Sequence, residues 1–140
     1  MEPSPFASPD IPRLLNLFAR LVQQHGFDAP GAGGLDAWTQ APGQSLLFFG
    51  GDPRRVPETW DVAVVLPDIV AGYRPGLRVA LLDPALSQTL AGQYAVTVLP
   101  ALVLLSDGRP IGSIERMRGW DEYAESLAAI LGPSHPPRTH

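Results

Sequence analysis

Few residues in this chain can do chemistry, and their spacing argues against catalysis. There is no cysteine, so thiol–disulfide exchange has no thiolate to proceed through. The three histidines, His25, His135 and His140, are too scattered to indicate a metal site. No histidine lies at a useful spacing from the hydroxyl residues Ser45, Thr59 and Thr97. A catalytic triad whose members meet only in the folded chain stays open as an alternative. These residues indicate no catalytic group and no metal site, and we expect no catalytic residue, metal or cofactor.

A charged loop after the first buried strand carries the strongest candidate binding residues. It reads Asp52-Pro53-Arg54-Arg55-Val56-Pro57-Glu58, with Trp60 and Asp61 just beyond it. Its two arginines are either solvated loop residues or contacts for a partner. Asp52 suits a turn, and acids such as Glu58 and Asp61 are favoured in the first turn of a helix. Trp60 either covers the core or offers an anchor to a partner, and we interpret it as an anchor.

The tripeptide Val98-Leu99-Pro100 is the second candidate binding segment. It leads into an apolar run at 101–105, and Asp107-Gly108 then reverses the chain into a hairpin. Proline has no N–H to donate to a sheet, so it fits the start of a strand, where a tight bend is a usual place for a cis peptide bond. We predict that the Leu99–Pro100 bond is cis and that Val98 and Leu99 line an exposed groove with the charged loop. The residue before such a proline can offer its N–H and C=O to an extended peptide.

The elements that must position these residues alternate between helix and strand. Apolar spacing predicts a helix capped by Asp10 and ended by Gly26, a short extended piece within 27–34, and a helical turn at 35–40. Buried strands are predicted at 45–49 and 77–82, with helices at 59–71, from Asp83 through Tyr94, and at 121–131. Trp120 is expected in the core. This order is typical of an α/β fold, in which helices cover a sheet.

Composition indicates one domain and excludes several classes of partner. The 140 residues are 45% hydrophobic, which suits a single domain at 10–132, between a flexible lead-in at 1–9 and a disordered tail at 133–140. Net charge is −4 and the ten Lys and Arg residues are all arginine, scattered along the chain, which argues against nucleic-acid binding. No apolar run approaches ~20 residues, so no membrane insertion is expected. The N-terminus lacks the pattern of a secretory signal, and a cytoplasmic location is expected.

The stretch 94–120 resembles the C-terminal half of a thioredoxin, in which a cis-proline and a hairpin precede the last helix. The resemblance implies a thioredoxin-like fold with a central mixed β-sheet flanked by helices. A thioredoxin carries two active-site cysteines after its first central strand, ahead of a helix. The equivalent positions here are Arg55 and Glu58 when aligned through Pro57, or Val56 and Thr59 after a shift of one residue.

The charged loop is close to the D-P-[KR]-R-x-P-E loop of the hydrogenase expression/formation proteins of the HyaE/HoxO/HupG type. Further similarity lies in Leu35-Asp36-x-Trp38, Gln40-Ala41-Pro42, the strand at Val79-Ala80, and Gly119-Trp120 with its acidic helix start. About residues 10–131 are covered. Where family members can have phenylalanine before the cis-proline, this chain has Leu99.

That resemblance implies a non-catalytic cytoplasmic chaperone in the assembly of a membrane-bound [NiFe] hydrogenase. Its expected partners are the small-subunit precursor, the twin-arginine signal peptide of that precursor, and other hydrogenase maturation proteins. The residues expected to contact partners are Asp52, Pro53, Arg54, Arg55, Pro57, Glu58, Trp60, Asp61, Val98, Leu99 and Pro100. A second interpretation stays open, a redox-inactive thioredoxin-like module that binds a peptide or small molecule or serves as a structural subunit.

Overall fold

A computed structural model describes residues 9–133, and the predicted lead-in at 1–9 and tail at 133–140 lie outside them except for residues 9 and 133. The helices are α1 (Asp10–His25), α2 (Gly31–Thr39), α3 (Glu58–Tyr73), α4 (Pro84–Leu90) and α5 (Trp120–Leu131). The strands are β1 (Gln44–Phe49), β2 (Arg78–Leu82), β3 (Ala101–Ser106) and β4 (Arg109–Glu115). The predicted order of strand, helix, strand, helix, hairpin and helix is confirmed.

The four strands form one mixed sheet in the order β2-β1-β3-β4. β1 pairs parallel with β2 and antiparallel with β3, so it lies inside the sheet. Its run from Leu46 to Phe49 has no exposed surface, which explains why this run is apolar at every position rather than at alternate ones. β3 continues into β4 as an antiparallel hairpin. The charged loop therefore leaves the sheet from the end of an interior strand.

Helices cover both faces of the sheet, and the sheet separates two hydrophobic clusters. Phe48 belongs to a cluster with α1, α3 and α5, where its ring meets that of Phe18 edge to face at 5.9 Å between centroids. Its neighbour Phe49 faces the other way, into a cluster with α2 and α4, and meets Tyr94 at 5.7 Å. Adjacent strand residues point to opposite faces, so β1 is packed from both sides. The loop that follows it starts from a fixed position.

Several predicted helix ends are wrong. α1 has Pro9 at its N-cap, and Asp10 is its first residue. α2 begins at Gly31, ahead of the predicted turn, and the predicted extended piece is reduced to a bridge between Asp28 and Ala80. α4 ends at Leu90, short of the predicted extent. Burial of Leu35 against the sheet outweighs the low helix propensity of the glycines in α2.

The prediction that Trp120 lies in the core is also wrong, since the residue is 55% exposed. It is the first residue of α5 and lies against Gly72 of α3, where an added Cβ would be 3.6 Å from Trp120 Cζ2. The buried aromatic residue of this helix is Tyr123. The indole therefore covers the flank of α3 without being enclosed.

Candidate functional site

Two glycines join β1 to the charged loop, and buried side chains fix both. The N–H of Gly50 donates to Ser87 Oγ of α4, and the N–H of Gly51 donates to Thr59 Oγ1 of α3, each at 3.0 Å. Neither hydroxyl residue has any exposed surface. A Cβ on Gly50 would lie 2.8 Å from Thr59 Cγ2, and one on Gly51 would lie 2.9 Å from Val56 Cγ2. Glycine is therefore required for the close packing of this loop on the two helices.

Asp52 shapes the tip of the loop. Its C=O accepts the N–H groups of Arg55 (2.9 Å) and Val56 (2.8 Å), and its Oδ1 accepts the N–H of Arg54 (3.0 Å). This is the turn role that the sequence indicated. Both arginine side chains are exposed, and neither forms an ion pair within residues 9–133. The tip therefore presents two guanidinium groups whose charge no carboxylate of the described chain neutralises by contact.

The Leu99–Pro100 peptide bond is cis in the structure. Leu99 is half-buried, and its Cδ1 lies 3.4 Å from the point that a Cβ on Gly51 would occupy. Val56 approaches the same point, so the two apolar side chains flank the glycine. The N–H and C=O of Leu99 form no hydrogen bond within the described chain. We call Gly51, Val56 and Leu99 the cis-proline surface, which is apolar and carries one unpaired donor and one unpaired acceptor.

The two pairs of positions considered for the thioredoxin cysteines differ in their surroundings. Arg55 and Glu58 are exposed, whereas Thr59 is buried in the first turn of α3 and Val56 lies at the cis-proline surface. Val56 and Thr59, the pair obtained by a shift of one residue, therefore include the position next to the cis-proline, which is Val56. The Thr59 hydroxyl accepts the N–H of Gly51, which is a structural role.

Glu115, at the end of β4, fixes the segment before the cis-proline. Its Oε2 accepts hydrogen bonds from Thr97 N (2.9 Å), Thr97 Oγ1 (3.0 Å) and Val98 N (3.2 Å). The bond from the Thr97 N–H is the largest cause that lowers the pKa of the Glu115 carboxyl from its ordinary value of 4.5. The next residue, Arg116, donates its N–H to the C=O of Pro100 (2.7 Å). The end of β4 thus contacts Val98 and Pro100, the residues on either side of Leu99.

Trp60 lies beside α1 rather than at the cis-proline surface. It is half-buried and lines an open cleft of about 320 Å³, whose other lining residues are Asp10, Arg13, Pro53, Pro57 and Asp61. We call these six residues the Trp60 cleft. A second cleft of about 360 Å³ continues along α1 and α3 and shares Trp60, and Leu99 lines neither. The loop therefore contributes to two surfaces where the sequence indicated one groove.

Sequence reasoning missed the residues that fix these surfaces. Consecutive glycines after a buried strand signal a close approach of neighbouring groups, but nothing local identifies Thr59 and Ser87 as their partners. Glu115 carries no signal that separates it from a solvated glutamate at the end of a strand. The sequence indicates its partner Thr97 only as a possible nucleophile.

The described residues contain no cluster that could bind a metal and no helix that is long and apolar enough to cross a membrane. His25 is exposed, and the other two histidines lie outside the described residues. Ser45 is buried in β1. What the geometry offers is two candidate binding surfaces: an apolar one at which the N–H and C=O of Leu99 are unpaired within the described chain, and a cleft around the indole of Trp60.

Comparison with known proteins identifies related chains. The profile of the family "Hydrogenase-1 expression protein HyaE" matches residues 17–123. Hydrogenase expression/formation protein HoxO of Azotobacter vinelandii is 42% identical over 115 residues, which are 82% of this chain and 77% of that protein. HupG of Rhizobium leguminosarum bv. viciae is 39% identical over 110 residues, 79% of this chain and 69% of that protein. A solved structure, a mutant thioredoxin from Halobacterium salinarum NRC-1, superposes with a TM-score of 0.59 at 22% identity over 75% of this chain and 89% of that one. The fold is thioredoxin-like.

Proposed function

Because the chain belongs to the family of hydrogenase-1 expression protein HyaE, we propose that it is a non-catalytic chaperone in the assembly of a [NiFe] hydrogenase. Its partner is the small-subunit precursor of a membrane-bound enzyme, bound in the cytoplasm together with its twin-arginine signal peptide before export. The names of the relatives, which are expression/formation proteins, support an accessory role. The absence of cysteine supports binding without thiol chemistry.

The cis-proline surface is the observation that carries this proposal. An extended peptide adds to exposed backbone by accepting from an N–H and donating to a C=O of the same residue, and Leu99 has both groups unpaired within the described chain. The flanking side chains of Val56 and Leu99 are apolar. Each apolar side chain of the peptide that becomes buried there contributes roughly 1.5–3 kcal/mol. The surface therefore suits the apolar segment of a signal peptide in extended form.

The Trp60 cleft supplies the complementary charge. A twin-arginine segment presents two guanidinium groups beside an apolar stretch, and Asp61 lies exposed at the indole of Trp60, with Glu58 nearby in the same helix turn. Arginine binds a carboxylate through two parallel hydrogen bonds. An exposed pair of this kind contributes only about 0.2–1 kcal/mol, so the contact with the indole dominates affinity.

The loop tip makes a different contact, since the exposed Arg54 and Arg55 repel an arginine-rich peptide. We assign this tip to an acidic surface on the body of the subunit. Binding of the peptide and of the body then depends on different residues. Salt weakens the contact between exposed charges more than the apolar contact.

Calorimetry against three partners tests the proposal: the synthetic signal peptide, the precursor, and the subunit without its signal. Leu99→Asp and Trp60→Ala should each weaken peptide and precursor binding by about tenfold or more, which corresponds to ~1.4 kcal/mol. Glu58→Ala should change affinity less. Glu58→Arg combined with Asp61→Arg should remove the attraction that salt screens, so that peptide binding no longer weakens as salt rises.

Ile111→Asp is the matched control, because Ile111 is an exposed apolar residue (42%) on β4 that belongs to neither surface. It should leave the affinity for all three partners unchanged. If the peptide alone does not bind and the signal-less subunit binds as well as the precursor, the role of the two surfaces is refuted, and the Arg54-Arg55 tip becomes the contact. If none of the three binds, the chaperone function itself is refuted.

A further inference from the structure

We infer that Glu115 is a positioning residue of the cis-proline surface: its carboxylate holds Thr97 and Val98 so that Leu99 presents its N–H and C=O to an extended partner. The inference deepens the proposed function and rests on it for the identity of the partner. The order of the segment before Leu99 is a property of the free protein and can be measured without any partner.

The segment 91–100 joins α4 to β3 and contains neither helix nor strand. Its first part is fixed internally, since the N–H of Val96 donates to the C=O of Ala91 at 2.8 Å. Beyond that point, every hydrogen bond of Thr97 and Val98 within the described chain ends on one atom, Oε2 of Glu115. No other polar group of residues 9–133 substitutes for this carboxylate.

The other side of Leu99 is fixed by backbone and does not depend on the carboxylate. The C=O of Pro100 accepts the N–H of Arg116, and the Nε of Arg118 donates to the C=O of Glu115 at 2.8 Å. The end of β4 therefore keeps its place when the Glu115 side chain is changed. A substitution at Glu115 acts on the segment before the proline and leaves the strand intact.

Charge makes glutamate specific for this role. An ionised carboxylate accepts several N–H and O–H donors at one oxygen and binds them more strongly than a neutral amide does. In Glu115→Gln the segment has a weaker acceptor, and Leu99 samples conformations in which its N–H and C=O are not aligned with a partner. If the competent conformation falls to about a tenth of the population, the apparent affinity falls about tenfold.

The test compares Glu115→Gln with Thr97→Val, which removes one of the three donors, and with Glu125→Gln, an exposed glutamate on α5 that takes no part. Hydrogen exchange followed by NMR on the free proteins reports the amides of Thr97 and Val98. Calorimetry reports the affinity for the precursor, and urea denaturation reports the free energy of unfolding. We expect Glu115→Gln to speed exchange at both amides and to weaken precursor binding about tenfold, with Thr97→Val intermediate and Glu125→Gln equal to wild type.

The inference is overturned if Glu115→Gln binds the precursor as tightly as wild type, or if binding weakens while exchange at Thr97 and Val98 is unchanged. Glu115→Gln must also unfold at nearly the wild-type urea concentration, because a large loss of stability would indicate a purely structural role. If wild type binds no precursor, the proposed function fails, while the exchange data still decide whether the carboxylate orders the segment. Should Glu115→Gln not fold, Thr97→Val decides alone, with unchanged exchange at Val98 refuting the inference.

Acidification provides an independent readout. As pH falls below 4.5 through the lowered pKa of Glu115, its carboxylate is protonated, so the Thr97 and Val98 amide signals should shift in wild type and not in Glu115→Gln. The charged neighbours of Glu115 along the chain are Arg116 and Arg118. Glu122, which pairs with Arg118 at 3.9 Å, is present in both proteins, and a shift that survives in Glu115→Gln does not come from Glu115 and contradicts the assignment.

Discussion

Replacing Thr59 with valine tests whether a buried hydroxyl fixes the loop that carries the candidate site. Valine has nearly the same shape as threonine, so no cavity forms, but the Gly51 N–H loses its acceptor at a position without exposed surface. A buried donor left without a partner costs about 1–3 kcal/mol. We expect Thr59→Val to lower the free energy of unfolding by this amount. Because Gly51 belongs to the cis-proline surface, the lost hydrogen bond lies within the candidate site as well.

Urea denaturation followed by circular dichroism gives the free energy of unfolding. Thr59→Ser is one control, since it keeps the hydroxyl and gives up a methyl group worth about 0.8 kcal/mol. Thr89→Val is a second, because the Thr89 hydroxyl lies on the exposed face of α4, where it donates to the C=O of Ala85 at 2.9 Å. Its effect should stay within about 0.5 kcal/mol.

Hydrogen exchange at the Gly51 amide distinguishes a local effect from a general one. The amide should exchange faster in Thr59→Val and stay protected in Thr59→Ser and Thr89→Val. The reasoning is refuted if Thr59→Val loses no more stability than Thr89→Val, or if Thr59→Ser exchanges as fast as Thr59→Val. Either result would mean that packing, and not the hydrogen bond, fixes the loop.

Three further predictions concern packing, pH and activity. Gly50→Ala should lower the free energy of unfolding by ~1–3 kcal/mol in urea denaturation, because its Cβ would overlap Thr59. In the same assay Gly33→Ala, at an open position of α2, should raise the free energy of unfolding by ~0.5–1 kcal/mol. Burial raises the pKa of Tyr123 above 10.0 in the folded protein. The stability that this residue contributes below pH 10 should therefore be lost as pH rises through its pKa in the folded state. Tyr123→Phe should flatten that loss when urea denaturation is repeated at alkaline pH. Insulin-reduction assays should show background rates, since the chain has no cysteine; heat-sensitive turnover would contradict this.

The parts of the fold that could be predicted are those determined by local pattern. The unbroken apolar run of β1 indicates an interior strand, because only burial on both faces removes the alternation of polar and apolar residues. Pro100 at a strand entrance and Asp107-Gly108 at a reversal act through their own backbone preferences. A neighbour that is distant in sequence is not needed to interpret any of them.

The parts that could not be predicted depend on pairs that meet only in space. Trp60 and Leu99 are both apolar residues beside the same loop, but one packs toward α1 and the other toward Gly51. Trp120 lies against a glycine of α3 and stays exposed, although its position before an apolar helix favours the core. Glu115 accepts hydrogen bonds from the N–H groups of Thr97 and Val98, which are separated from it in sequence by most of the β3–β4 hairpin.

In the proposed complex, Val56 beside Leu99 leaves a bound partner held by non-covalent contacts alone. A thiolate at this position could form a covalent bond with a bound chain, whereas a hydrocarbon side chain cannot, so every complex at the cis-proline surface ends by dissociation alone. With association rate constants of ~10⁵–10⁷ M⁻¹s⁻¹, a micromolar affinity gives a residence time of roughly 0.1–10 s. Under the proposed function, release of the partner is then governed by affinity, competition and concentration, and it proceeds at the same rate whether the surroundings are reducing or oxidising.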